Sequence, residues 1–107
     1  MTKGQLAKTL TLASICALAA AAQVSAEEAR GRELLNALGC KACHQLEGSG
    51  GSLGPAFDGI GQRLSAEQIN KQIIEPSSAN PNTMMPSYAH IPEEDLKALV
   101  EFLAGLK

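Results

Sequence analysis

Apolar and polar positions change their spacing several times along this chain, and each change marks an element. Thr9 to Ala22 is an almost unbroken apolar run behind Lys3 and Lys8, with no acid before it. Glu28 to Leu38 then places Leu34, Leu35 and Leu38 on one face of a helix that Gly39 stops. Gly31 is a poor helix former there, costing up to about 1 kcal/mol relative to alanine, so the sequence predicts close approach by another helix. Glu47 to Gly54 is Gly/Ser-rich, has no period and reads as a loop. From Ser65 to Glu75 the helical period returns, with Ile69 and Ile73 one turn apart and facing inward. Ser65 and Gln68 have capping-box spacing, Leu64 and Ile69 can form a hydrophobic staple, and Pro76 ends the run. Ser77 to Tyr88, with Asn80, Pro81, Asn82 and Pro86, reads as an irregular loop. Pro92 opens a last helix with Glu93, Glu94 and Asp95 in its first turn. Leu96, Leu99, Val100, Leu103 and Leu106 form its apolar stripe. No strand pattern, repeat or second domain is visible, so the expected class is all-α, with helices around a loop-rich middle.

The first apolar run, followed by the small residues of Val24-Ser25-Ala26, reads as a signal peptide over 1–26, with Glu27 as the first mature residue. It is too short for a comfortable membrane span of about 20 residues, so no stable span is expected after cleavage. Cys16 leaves with it, and Ile15 just before Cys16 argues against a lipoprotein. The expected location is the periplasm. Removing 26 of the 107 residues leaves 81, one small domain over 27–107. At that size a hydrophobic core gives only a few kcal/mol. The only aromatics are Phe57, Tyr88 and Phe102, so another body must help to fill the interior. None of the eleven acids but two of the nine basic residues lie in the leader, so the mature part carries −4. Without a basic cluster, nucleic acid is excluded as a partner.

Cys40-Lys41-Ala42-Cys43-His44 supplies that body. Two thiols three positions apart with an imidazole directly after them match the attachment site of c-type haem. The sulfurs can add to two porphyrin vinyl groups, and the short tether sets His44 under the iron. Structural zinc would need two more ligands of similar spacing, and the only other histidine is His90. A thioredoxin-like pair would need a strand-helix unit that the chain does not show. One covalent haem is therefore expected, as a large part of the core. For the opposite face of the iron the candidates are Met84, Met85 and His90. Met85 is preferred because Pro86 fixes the backbone after it, with Met84 next and His90 third.

Over Glu28 to Lys107 the chain resembles a class I c-type cytochrome of the small bacterial kind. Gly31 and Leu35 correspond to that family's first-helix glycine and the apolar residue five positions before the first cysteine. Leu99 and Phe102 correspond to its last-helix leucine and aromatic. The resemblance implies that these two helices cross and that the middle wraps the haem. It further implies that the Pro55 carbonyl accepts from the His44 Nδ1 atom, orienting the imidazole. Met85-Pro86 is similar to the family's Met-Pro ligand loop. The expected site is therefore Cys40, Cys43, His44, Met85 and Pro55, with His44 and Met85 on the metal.

The function these features imply is a periplasmic single-electron shuttle that is not an enzyme. Its donor and acceptor dock transiently, and it is a monomer or a subunit of a small complex. Two rival readings remain open. Asn80 to Tyr88 resembles the ligand loop of the monohaem subunit in thiosulfate-oxidising Sox complexes. Alternatively, an open distal side would make this a gas-binding haem domain.

Overall fold

A computed structural model describes residues 26–107. The leader expected over 1–26 lies outside the described residues, Ala26 excepted. The first helix, α1, runs through 26–37. After a 3-10 turn over Cys40–Ala42 come two short strands, β1 (Gln45–Leu46) and β2 (Ser49–Gly50). Four helices follow: α2 (Ile60–Arg63), α3 (Ala66–Ile74), α4 (Pro76–Ala79) and α5 (Glu93–Ala104). No helix among the described residues is long and apolar enough to cross a membrane.

The apolar stripes of α1, α3 and α5 meet in one core. Leu34 and Leu35 from α1 pack with Ile69 and Ile73 from α3 and with Leu99, Val100 and Leu103 from α5. Leu46 and Phe57 complete this buried set from the connecting chain. Leu35, Ile69 and Leu99 are almost wholly buried, each worth about 1.5–3 kcal/mol relative to exposure. A Cβ at Gly31 would run into the Phe102 side chain, so α1 and α5 cross where only glycine leaves room. The Arg32 guanidinium lies over the Phe102 ring, 5.5 Å from its centroid. Asp95 in the first turn of α5 accepts from Arg30 of α1 at 2.8 Å.

Local signals place the helix ends. Ser65 caps α3 through both arms of a capping box: Gln68 N donates to Ser65 Oγ at 3.2 Å, and Ser65 N donates to Gln68 Oε1 at 2.9 Å. Pro92 precedes α5, whose first turn holds Glu93, Glu94 and Asp95. Two expectations need correction, and one element had no expectation. Residues 45–50 form an antiparallel hairpin rather than structureless loop, pairing Gln45 with Gly50 and Leu46 with Ser49. Glu47 and Gly48 both have positive φ, 53° and 80°, as a right-twisted two-residue hairpin turn requires. Pro76 does more than end α3, since it opens the short α4 within the segment read as irregular. The third difference is α2, a single turn that the sequence pattern did not mark.

Candidate functional site

The Cys40–His44 run folds as one tight turn after Gly39, which adopts φ 75° between α1 and the 3-10 turn. Cys43 N and His44 N both donate to Cys40 O, at 3.2 and 3.1 Å. Neither Cys40 nor Cys43 is in a disulfide, and both are half-buried. Burial pushes the Cys40 thiol up from its ordinary value, against a smaller opposing effect of its own backbone.

Residues 51–57 fold back along this turn. Gly51 N donates to Lys41 O at 2.9 Å, Gly54 N to Cys43 O at 2.7 Å, and Phe57 N to Gln45 O at 2.8 Å. These three bonds bring a small set of groups onto His44. A Cβ at Gly54 would strike the His44 ring, so glycine is what lets the backbone lie against the imidazole. The Phe57 ring stacks on the imidazole with centroids 4.5 Å apart and planes 20° apart. Pro55 O lies 2.6 Å from His44 Nδ1. A carbonyl can only accept, so Nδ1 carries the proton and Nε2 keeps its lone pair for a metal.

Two further residues hold this strap, and neither stood out in the sequence. Arg63 donates to Ala56 O and Asp58 O, both at 3.0 Å. The Asp58 carboxylate accepts from Glu47 N at 3.1 and 3.2 Å, at the positive-φ corner of the hairpin. Glu47 is held from its other end by Arg32 at 2.7 Å. Phe57 had a weak signal, an aromatic two residues beyond Gly54-Pro55. Asp58 and Arg63 had none, because each bonds to backbone far from any local pattern.

A second strap, residues 80–91, carries the three distal candidates. Asn82 N donates to Asn80 Oδ1 and Met85 N to Thr83 Oγ1, both at 3.1 Å. These successive side-chain turns shape the backbone that carries the two methionines. Met84 is 83% exposed, whereas Met85 is half-buried. His90 is exposed, with its ring stacked 6.3 Å from that of Tyr88. The donors available are thus two unpaired sulfurs on one turn, an imidazole with a free Nε2, and one half-buried thioether. That set fits a covalently attached haem: thiols for two vinyl groups, and nitrogen and sulfur for the two faces of an iron. No group of three or more His, Cys, Asp or Glu suited to a metal ion occurs among the described residues.

Comparison with known proteins agrees with this chemistry. The chain is 33% identical over 86 residues to cytochrome c oxidase subunit 2 of Alkalihalophilus pseudofirmus, covering 73% of this chain. It spans only about a quarter of that relative's length (25%). It is 30% identical over 74 residues to cytochrome c-551 of Allochromatium vinosum, covering 64% of this chain and 77% of the relative. The cytochrome c family profile matches residues 28–107, nearly all of the described chain. With a predominantly helical fold, the Cys-His turn and this match, the chain belongs to the cytochrome c family, whose members transfer electrons through covalently bound haem c.

Proposed function

We propose that this protein is an exported single-electron carrier with one haem, joined to the chain by thioethers at Cys40 and Cys43 and ligated by His44 and Met85. The observation that carries the reading is the bond from His44 Nδ1 to Pro55 O, made on a Cys-His turn. It fixes the tautomer and the ring plane and leaves Nε2 to ligate. Gly54 and Phe57 then confine the ring by close contact. When bound, the haem supplies a one-electron couple, with no substrate bond made or broken. The residues' work would be to hold the His44 nitrogen and the Met85 sulfur to the iron in both oxidation states. With Met85 as the second ligand, its thioether would favour ferrous iron and raise the potential relative to a second imidazole.

The partners are redox proteins that meet the carrier over a small interface, at or below about 1,200 Å². The likeness to an oxidase subunit supports electron delivery toward a terminal oxidase as the second reading. The thiosulfate-oxidising reading rests on the Asn80–Tyr88 likeness alone. Co-purification and turnover with each partner class separate the three roles.

The test of the core reading is direct. Mass spectrometry of the exported protein is expected to find the chain without residues 1–26 and with one haem added. The ferric form is expected to show the long-wavelength band of a thioether–iron bond and to resist carbon monoxide when reduced. A mature chain without added tetrapyrrole overturns the reading. Ready carbon monoxide binding would favour a gas-binding domain instead.

A further inference from the structure

The strap that carries Met85 is fastened on both sides. Upstream, the Asn80 and Thr83 side chains close the turns already described. Downstream, Ser87 Oγ donates to Ile74 O at 2.6 Å and Tyr88 N donates to Ile73 O at 3.0 Å, tying the strap to the end of α3. One bond differs from these in what it connects. The Tyr88 hydroxyl donates to Leu38 O at 2.9 Å, across 50 positions of sequence. Leu38 follows α1 and stands two residues before Cys40. Among the described residues this is the only hydrogen bond joining 80–91 to 38–58. The Leu38 carbonyl lies at the end of a helix, where no next turn uses it. Tyr88, Leu38 and Cys40 also pack against the same buried cluster. The phenol therefore links the strap bearing one proposed ligand to the turn bearing the thioethers and the other.

We propose that Tyr88 is a positioning residue for the Met85 thioether, its hydroxyl clamping the distal strap to the cysteine turn. The inference rests on Met85 being the distal ligand. A sulfur on a short irregular segment stays on a metal against competitors only if the segment has few other places to be. Pro86 restricts the backbone just after Met85, and the Tyr88 bond fixes the point three residues on. Burial, with a lesser contribution from the nearby cysteine sulfurs, raises the phenol above its ordinary value. Thioether formation removes the sulfur charges and leaves burial, so the hydroxyl remains a protonated donor.

Imidazole displacement of the thioether tests this on the ferric holoprotein. Tyr88→Phe keeps the ring and deletes the donor. Imidazole is expected to replace the thioether at about fivefold lower concentration, the ratio set by one lost hydrogen bond. Val100→Ala, which opens a cavity in α5 and removes no hydrogen bond of the strap, is expected to lower the melting temperature and leave imidazole affinity unchanged. Tyr88 is the chain's only tyrosine, so growth on monofluorinated tyrosine gives a second, milder variant. Its more acidic but protonated phenol donates a stronger bond, and imidazole is expected to bind about twofold more weakly. Unchanged imidazole affinity in both Tyr88 variants overturns the proposal. An equal rise in Val100→Ala also overturns it, since global loosening would then account for the effect. If wild type lacks the thioether band, the Met85 reading itself falls. If the band is present and the affinities do not move, only the role of Tyr88 falls.

Discussion

The three-helix scaffold and the two straps are held by different forces. Among the described residues, seven of the nine buried apolar side chains belong to α1, α3 and α5. Leu46 of β1 and Phe57 of the first strap are the other two, and residues 80–91 contribute no buried side chain. The straps are instead fastened by directed bonds, from Arg63 to two carbonyls, from Glu47 N to Asp58, and from Ser87 and Tyr88 to the ends of α3 and α1. Burial of apolar area is non-directional and tolerates swaps of similar volume. A hydrogen bond contributes only about 1 kcal/mol net, but it fixes where an atom sits. Scaffold changes should therefore move stability, and strap changes should move the ligands.

The widest test of this division removes the haem altogether. The haem-free Cys40→Ala/Cys43→Ala chain is expected to lose most of its native helical circular dichroism. A native-like helical spectrum would show that the scaffold stands without the cofactor. Leu99→Ala is expected to cost about 3 kcal/mol by opening a cavity, lowering the melting temperature while the visible spectrum stays the same. Met85→Ala is expected to do the reverse, giving a high-spin or ligand-swapped haem and a lower potential for a smaller loss of stability. Met84→Ala should leave both measurements alone; the opposite pattern would mean that the strap presents the other sulfur. Asp58→Ala is expected to cost about 1–2 kcal/mol by leaving Glu47 N without its acceptor. Its accompanying shift in potential would exceed that of Leu99→Ala. Gln68→Ala, which opens one arm of the capping box, is expected to cost about 0.5–1 kcal/mol and change nothing at the iron.

The same division explains what the sequence could tell. Ile69 and Ile73, the Ser65–Gln68 box and the stripe from Leu96 to Leu106 are local periodic patterns, so α3 and α5 were legible. Gly31 was legible as a close approach because a helical glycine needs a reason, and Phe102 is that reason. The cysteine turn was legible because its spacing is short and specific. The hairpin at 45–50 was not, because strands of two residues are too short to show alternation. Asp58, Arg63 and Tyr88 were not legible as fasteners for a different reason. Their partners are backbone atoms, which every residue possesses, so no complementary residue type marks the other end of the bond. The sequence favours Met85 over Met84 only through the following proline, and the structure adds that Met84 is exposed while Met85 is half-buried.

The crossing of Gly31 against Phe102 joins the first described helix to the last. A chain emerging from the ribosome cannot make that contact until Phe102 has been synthesised. The capped α3 and the cysteine turn involve near neighbours and can form earlier, but the lock between the two end helices comes late. A truncation that stops short of Phe102 would leave Gly31 facing solvent, however well the preceding segments had formed.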